Sequence, residues 1–365
     1  MAKIVYIADV CKEIFAGGDV PKSALSYEKT AEYNVPIFSN GEKNCGLYGY
    51  TNNARVKEPS ITVSARGTIG YTAIRTEPFV PVVRLITLTP KSEVIDLDYL
   101  FYATQNYKFE GSGTSIPQLT VPMLKKYKFQ LPEMSRQKAI AVKFEKLDQL
   151  ISLRKQQLAK LDELVKARFV EMFLLHDYPT KTLDELSIGK GEYGAQSAST
   201  EYDSTRPRYV RITDVNEDGT LNDDKVSSEN ITDDEQYRLS YGDFMFARMG
   251  ATVGKTYAFL SGNQIFAGYL IRYKLNLSLA NPRYLFWYTK LDDYQKWVKL
   301  NQSGAAQPGI NAKKYGSLKI PVPPIALQNQ FAAFVERVDQ QKQTVQQSLE
   351  KLELMKKALM QEYFG

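Results

Sequence analysis

The sequence predicts an α+β protein with a pseudo-twofold internal repeat: two globular domains separated by two long antiparallel coiled-coil helices. Three observations predict this class. The chain aligns with itself over a long segment, two uninterrupted helical runs carry a heptad pattern, and the regions before them mix strand-like and helical runs. The predicted limits are 1–133 for the first domain, 134–175 for its helix, 176–324 for the second domain and 325–365 for its helix.

The repeat is read directly from the residues. Residues 111–173 align without a gap with residues 302–364, and 18 of the 63 pairs are identical, including Gln137 with Gln328 and Phe173 with Phe364. Upstream the similarity weakens and needs gaps, although VSARGTIG at 63–70 still resembles MFARMGATVG at 245–254 and YLFYAT at 99–104 resembles YLFWYT at 284–289. The duplication therefore covers the whole chain. The segments upstream of the two aligned blocks diverge more than the helices.

The two long helices are predicted by apolar residues spaced alternately four and three apart. Starting from Ile140 and from Phe331, each series of ten positions holds eight apolar residues, without glycine or proline in either run. Such a period is typical of a coiled-coil seam, although a helix packed only on its own domain is an alternative. The connection at 176–179 is too short to return along a helix of about 60 Å, so an antiparallel pair is expected, in a dumbbell that brings Gly365 near Met1.

Each globular domain is predicted to combine strands with short helices. Runs rich in β-branched and aromatic residues predict strands, namely SITVSARGTIGYTAI at 60–74, VPVVRLITLTP at 80–90, RPRYVRITDV at 206–215, GDFMFARM at 242–249 and QIFAGYLIRYKL at 264–275. Longer amphipathic runs predict helices, namely DLDYLFYATQNY at 96–107 and NPRYLFWYTKLDDYQKWV at 281–298.

Composition narrows the function classes. The net charge of +6 is compatible with a polyanionic partner but does not require one. Two cysteines, Cys11 and Cys45, and one histidine, His176, provide neither a disulfide scaffold nor a Cys/His zinc site, so no metal is expected. The N-terminus lacks the hydrophobic run of a signal peptide and no stretch reaches 18 consecutive apolar residues, which predicts a cytoplasmic protein without a membrane partner.

Motifs that suggest catalysis fail on spacing or context. GATVGKT at 250–256 has three residues between its glycines where a phosphate-binding loop needs four, and its counterpart GTIGYT at 67–72 lacks the lysine. NPRY at 281–284 is similar to an adenine-methyltransferase motif, but it heads a helical run without a glycine-rich cofactor fingerprint before it. The acidic run DDEQ at 233–236 is typical of a solvated loop. No catalytic residue and no cofactor are predicted.

Taken together, these features resemble the DNA-specificity (S) subunit of type I restriction-modification enzymes. The resemblance spans essentially the whole chain, and its carriers are the order domain, helix, domain, helix; the loops SARGTIG and FARMGATVG; the segments GSGTSIPQLT and QSGAAQPGIN; Pro132, Gln137, Pro323 and Gln328; and the helix ends ARFVEMF and KALMQEYF. It implies two target-recognition domains that each read one part of a split, asymmetric site in double-stranded DNA. It also implies docking of two methyltransferase (M) subunits, which bind S-adenosylmethionine, and of restriction (R) subunits, which use ATP.

The candidate DNA-binding residues are those whose side chains suit phosphate or base-edge contacts and that fall in predicted loops. They are Lys43, Asn44, Asn52, Arg55, Arg66, Thr68, Arg206, Arg208, Arg211, Arg248, Thr252 and Lys255. Arg66 and Arg248 are preferred because both repeats place arginine before a turn rich in glycine and threonine. The main alternative is a coiled-coil adaptor that presents two protein-binding domains without touching DNA. It fits the seams equally well but gives no reason for basic loops in both domains.

Overall fold

The computed structural model describes residues 3–107, 118–231, 235–303 and 308–365. These form two compact units, Met1–Gln156 with Gln346–Gly365, and Gln157–Val345, so each unit contains segments of both long helices. Several sequence features lie outside the described residues, namely Met1, GSGTSIP at 111–117, GAAQ at 304–307 and the Asp233–Asp234 pair. The domain limits given above stay a prediction.

In its described residues, the first unit contains a four-stranded sheet, a three-stranded sheet and a two-stranded pair. Its strands are β1 (Lys3–Tyr6), β2 (Cys11–Ala16), β3 (Val35–Phe38), β4 (Leu47–Thr51), β5 (Ser60–Val63), β6 (Thr72–Arg75), β7 (Val80–Pro81), β8 (Ile86–Pro90) and β9 (Lys128–Leu131). Its short helices are α1 (Ile7–Val10), α2 (Leu97–Gln105) and α3 (Val121–Lys125). The first long helix, α4 (Met134–Phe169), follows β9. A π-helical turn, Val170–Leu174, continues it at its C-terminal end.

The second unit contains a four-stranded sheet and three two-stranded pairs among its described residues. Its strands are β10 (Thr180–Thr182), β11 (Glu192–Tyr193), β12 (Ser199–Glu201), β13 (Arg208–Val210), β14 (Val226–Ser228), β15 (Asp243–Ala247), β16 (Thr256–Ala258), β17 (Gln264–Phe266), β18 (Leu270–Lys274) and β19 (Lys319–Pro321). Its helices are α5 (Pro282–Tyr288), α6 (Asp292–Asn301) and α7 (Ala312–Gly316), followed by the second long helix, α8 (Ile325–Phe364).

The two units share one topology, which confirms the predicted internal repeat and the α+β class. Their four-stranded sheets run β2-β8-β5-β6 and β11-β18-β15-β16, the same order of first, fourth, second and third strand along the chain. Each unit also has a parallel pairing, β3 with β7 and β13 with β17, and an antiparallel pair just before its long helix, β1 with β9 and β10 with β19. The units diverge in their remaining strands.

A buried glutamine explains why Gln137 and Gln328 recur in the repeat. In the first unit, the Gln137 side chain accepts the backbone N–H of Asp96 at 2.8 Å and donates to the carbonyl oxygens of Val94 and Pro132. In the second unit, the Gln328 amide makes the same three kinds of bond, to Asn281 at 2.9 Å and to Leu279 and Pro323. Both side chains are buried, so each amide satisfies backbone groups that water cannot reach. These bonds fix the first turn of each long helix against the loop before α2 or α5.

The long helices pair within each unit, as predicted from the seams, and run antiparallel, as predicted from the short connection at 176–179. Every position of both apolar series is buried or half-buried. The two lysines that interrupt the series of α8 form ion pairs with aspartates of α4, Lys356 with Asp148 at 2.5 Å in the first unit and Lys342 with Asp162 at 2.7 Å in the second. The pairs lie fourteen residues apart along each helix, in opposite chain directions. These two lysines, although polar, therefore help to fix the register of the two paired helices.

The predicted 60–74 run holds β5 and β6 on either side of the SARGTIG loop, and three more predicted elements are divided in the structure. The 80–90 run splits because Val83 and Arg84 adopt left-handed backbone conformations, with φ of 53° and 64°. The 264–275 run holds β17 and β18, which belong to different sheets, and the 281–298 run holds α5 and α6. Pattern and length alone did not mark these breaks. Within the described ranges, no helix is long and apolar enough to cross a membrane.

Candidate nucleic-acid interface

Each unit presents one hairpin loop at the same place in its four-stranded sheet. The first joins β5 to β6, and its neck is closed by hydrogen bonds from the Ser64 N–H to the Tyr71 carbonyl and from the Gly70 N–H back to the Ser64 carbonyl, both 2.9 Å. The second joins β15 to β16 and closes in the same way, from Ala247 to Lys255 at 2.8 Å and from Gly254 to Ala247 at 3.1 Å. These hairpin loops correspond to SARGTIG and FARMGATVG, which the internal repeat pairs with each other.

The backbone hydrogen bonds that close and anchor the two hairpins form a common hydrogen-bond frame. This frame corrects the alignment of the two loop arginines. The N–H of Leu119 donates to the Ala65 carbonyl at 2.9 Å, and the N–H of Ile310, its repeat partner, donates to the Arg248 carbonyl at 2.9 Å. Arg248 is therefore equivalent to the buried Ala65, and Arg66 lies one residue further along its loop. A one-residue slip reverses the side of the strand on which a side chain lies. The two arginines are thus presented differently.

In the first unit, Arg66 and Thr68 are exposed at the tip of the hairpin. The Arg66 guanidinium donates from Nε and Nη2 to Oε1 of Gln118, at 3.0 and 2.8 Å. Gln118 borders the segment 108–117, which lies outside the described residues. The hairpin is therefore hydrogen-bonded to Gln118, the first described residue after that segment.

Asn40 joins a second predicted loop to that hairpin. Its side chain accepts the Ala65 N–H and donates to the Val83 carbonyl, both at 2.7 Å. Lys43 and Asn44 follow in the same loop and are exposed, with Asn44 in a left-handed conformation (φ 50°). Asn40 therefore connects the loop of Lys43, the hairpin of Arg66 and the turn at Val83.

The remaining first-unit candidates lie on the next loop. Asn52 and Arg55 are both exposed, and the Arg55 guanidinium lies 4.4 Å from the centre of the Phe15 ring. Sequence analysis missed Arg84, which is exposed beside Val83, because the run at 80–90 resembled a continuous strand. Only the left-handed turn, which the sequence pattern does not reveal, places Arg84 on the surface next to Asn40's bond to Val83.

In the second unit, three predicted arginines are engaged within the domain. Arg206 donates to the backbone carbonyls of Ser228 and Ile231, and the buried Arg208 donates to the backbone and side chain of Asn222. Arg211 donates to Asp214 and Asp224, with ion-pair distances of 2.7 and 2.9 Å. Hydrogen bonds with Asp214 raise the pKa of Arg211, against a smaller opposing effect of burial. These three side chains support loops in the structure.

The hairpin candidates of the second unit are placed differently from one another. Arg248 is half-buried and its guanidinium lies 4.7 Å from the centre of the Tyr193 ring. The Thr252 hydroxyl donates to the Met249 carbonyl at 3.2 Å, and Lys255 forms an ion pair with Glu217 at 2.8 Å. Arg248 is thus the hairpin cation with an aromatic neighbour, whereas the charge of Lys255 is partly neutralised.

Neither a metal-binding cluster nor a reactive buried thiol is found within the described residues. They hold no group of three or more histidine, cysteine, aspartate or glutamate side chains that could bind a metal ion. Burial raises the pKa of the Cys11 thiol to about 12, so this buried cysteine is not a nucleophile near neutral pH. The exposed loops carry arginine, lysine, asparagine and threonine. These side chains are suited to binding a nucleic acid through its phosphates and its base edges.

The family comparison identifies the class of protein to which this fold belongs. The chain belongs to the type I restriction modification DNA specificity domain family, whose model matches it twice, at residues 2–163 and 176–354. The double match follows the duplication seen in the sheets.

Curated relatives carry the same description. The putative type I specificity subunits S.MpnORF507P and S.MpnORF89P of Mycoplasma pneumoniae are 38% and 39% identical over 40% and 38% of this chain, and the matches span 39% and 41% of their own lengths. The putative MjaX specificity subunit of Methanocaldococcus jannaschii is 22% identical over 76% of this chain and 69% of its own length. The matches thus span only about two fifths of the M. pneumoniae relatives.

Solved structures share the fold. The S subunit of a type I restriction-modification system from M. genitalium superposes with a TM-score of 0.64 at 16% identity, covering 100% of this chain and 96% of that one. A chain from a study of complex assembly and conformational transition of the type I restriction-modification system superposes with a TM-score of 0.59 at 15% identity, covering 99% and 97%. At these identities the likeness concerns the fold alone.

Proposed function

We propose that this chain is the non-catalytic DNA-reading subunit of a type I restriction-modification complex, and that its two units each read one part of a bipartite, asymmetric site in double-stranded DNA. The observation that carries the proposal is the pair of equivalent hairpins, which occupy one position in a shared topology but present different polar side chains. Equivalent placement with different chemistry is what two different half-sites require. We expect the chain to act in the cytoplasm.

The proposed contacts divide the candidates into two groups. Exposed or half-exposed side chains contact DNA directly: Lys43, Asn44, Asn52, Arg55, Arg66 and Thr68 in the first unit, and Arg248, Thr252 and Lys255 in the second. Arg206, Arg208 and Arg211 contribute by holding their loops, because the Nη2 group of each already donates to oxygens within the domain. We add Arg84 to the first group. Lysines and threonines suit phosphate oxygens, whereas arginine and asparagine also match base edges.

We further propose that two M subunits dock on the long helices and that R subunits join the assembled complex. Supporting this, apolar residues remain exposed on both helices, including Leu150, Leu153 and Leu354 in the first unit and Leu164 in the second. Exposed apolar side chains that cluster on one surface are typical of protein interfaces. Leu164 (47% exposed) and Met355 (52% exposed) are partners in the repeat alignment, as two equivalent docking sites would need.

Co-expression with the cognate methyltransferase is expected to give a complex of one S and two M chains. Leu164→Glu should remove one M subunit and leave a 1:1 complex, because a buried carboxylate without a partner is costly to desolvate. Native mass spectrometry measures the stoichiometry. Gln347→Glu adds the same charge at an exposed polar position of α8 and should keep two M chains. A chain without affinity for the methyltransferase would contradict the partner assignment.

Exchanging residues 1–130 for the equivalent region of a relative should change one part of the methylated DNA sequence and leave the other part intact. The reason is that the first unit carries its own sheets and loops. Sequencing of methylated positions in a host genome gives the result, with the reciprocal exchange of the second domain as the matched control. A change in both parts would argue against separate reading. Failure of the reconstituted complex to bind DNA would favour the adaptor alternative.

A further inference from the structure

Arg248 differs from the other candidate arginines of the second unit. Arg206, Arg208 and Arg211 all donate to carbonyl or carboxylate oxygens. Within the described part of the chain, the Arg248 guanidinium instead lies over the Tyr193 ring, 4.7 Å from its centre, without a hydrogen bond or an ion pair. Its N–H donors therefore remain available for a ligand that contacts this surface.

Both partners of this stack are fixed by the backbone. The Arg248 N–H donates to the Tyr269 carbonyl at 3.0 Å, and its carbonyl accepts the N–H of Ile310 at 2.9 Å. The Tyr193 hydroxyl accepts a hydrogen bond from the N–H of Ala312 at 3.2 Å. The backbone of Tyr193 pairs with Ile271 in the four-stranded sheet. Tyr193 is 42% exposed, so the stack lies at the surface of the unit.

A guanidinium held over an aromatic ring has a restricted set of rotamers. Its two-donor fork matches the O6 and N7 acceptors that guanine presents in the major groove. Lysine at the same place would offer a point charge without that geometry. Preorganisation by the ring also reduces the side-chain entropy lost on binding. These properties suit recognition of one base better than attraction to phosphate in general.

We propose that Arg248 reads a guanine in the part of the DNA site bound by the second unit, and that Tyr193 is its positioning residue. The proposal rests on the function proposed above and specifies it at one base pair. Equivalent contact in the first unit is not expected, because the hydrogen-bond frame places Ala65 at the position of Arg248.

The test uses the whole complex and maps methylated sequences for the original chain and its variants. Exchange of the second domain first assigns one part of the site to that unit. Arg248→Ala should then relax the preference at one G·C pair of that part and weaken binding of the original site about 10- to 100-fold, with other positions unchanged. Arg248→Lys should restore binding to DNA in general but not the base preference.

Tyr193 variants separate positioning from folding. Tyr193→Phe keeps the ring and should stay close to the original preference, whereas Tyr193→Ala should relax the same G·C pair as Arg248→Ala. Lys299→Ala removes one positive charge from an exposed position of the same unit and serves as the control. It should leave the preference at every base unchanged.

Three outcomes would overturn the inference. One is a second-unit part of the site without any G·C pair, and another is an Arg248→Ala complex that binds all sequences equally less well, as a phosphate contact would. The third is a Tyr193→Ala complex that keeps full preference at the pair that Arg248→Ala relaxes. Absence of any methylated bipartite motif for the original complex would instead contradict the proposed function itself.

Discussion

Replacing Phe364 with alanine is expected to lower the free energy of unfolding of the first compact unit by about 3 kcal/mol. Phe364 ends α8 and is buried, with its ring centre 5.1 Å from that of Tyr99 and 5.7 Å from that of Phe144. The last turn of α8 therefore belongs to the same core as α2 and the start of α4. The lower end of the range for buried phenylalanine applies because a terminal turn can relax around the lost ring.

Phe173 has the equivalent place in the second unit, as the repeat alignment requires. Its ring centre lies 4.9 Å from that of Tyr284 on α5 and 5.4 Å from that of Phe331 on α8. Phe173→Ala should therefore destabilise the second unit by a similar amount and leave the first unaffected. Each long helix thus ends in the core of a unit that also contains the other long helix.

Hydrogen–deuterium exchange resolves the two units, since a single unfolding midpoint is ill-defined for a chain with two cores. Peptides from α2 should lose protection in Phe364→Ala, and peptides from α5 should lose it in Phe173→Ala. Leu354→Ala is the matched control, because Leu354 lies on α8 and is 69% exposed, and it should change stability by less than about 0.5 kcal/mol. Equal loss of protection in both units from either substitution would contradict separate cores.

Much of this fold could be predicted because the repeat duplicates local signals. The seam pattern depends only on the spacing of apolar residues, so the helices that begin at Met134 and Ile325 followed from the sequence. Identities such as Gln137 and Gln328 marked the hydrogen-bonded joints, although only the structure shows what their amides bind. Their recurrence signalled a constraint whose nature depends on tertiary contacts.

The candidate site was less predictable because it depends on contacts between distant segments. Arg208 looks like a free loop cation until Asn222 is seen to accept its donors. Arg84 looks like a strand residue until the left-handed turn exposes it. The apparent match of Arg66 with Arg248 was wrong by one residue, since the two loops differ in length and only hydrogen bonds define their frame. Local sequence patterns contain none of this information.

Lengthening both long helices by one heptad is expected to lengthen the unread spacer between the two parts of the DNA site by about three base pairs. The expectation rests on the proposed function and on the predicted architecture, in which the two long helices separate the globular domains. Seven residues add about 10.5 Å of helix, and base pairs rise about 3.4 Å each. Seven residues also preserve the phase of a seam with a 3.5-residue period.

The two ion pairs decide where the insertions belong. Insertions after Gln156 in α4 and after Val345 in α8 both fall between the Asp148–Lys356 and Asp162–Lys342 pairs, so each aspartate can keep its lysine. Insertion into α4 alone should reduce methylation sharply. The helices could then form only one of the two ion pairs, and only one half of the seam could pack in its original register. That single insertion is the matched control.

Sequencing of methylated sites in cells that carry the double insertion gives the spacer length directly. Three base pairs also rotate B-DNA by roughly 100°, given 10–10.5 base pairs per turn, so we expect slower methylation at the lengthened site. The spacer length is therefore the diagnostic quantity and the rate is not. An unchanged spacer with full activity would mean that something other than the helix pair sets the distance between the half-sites.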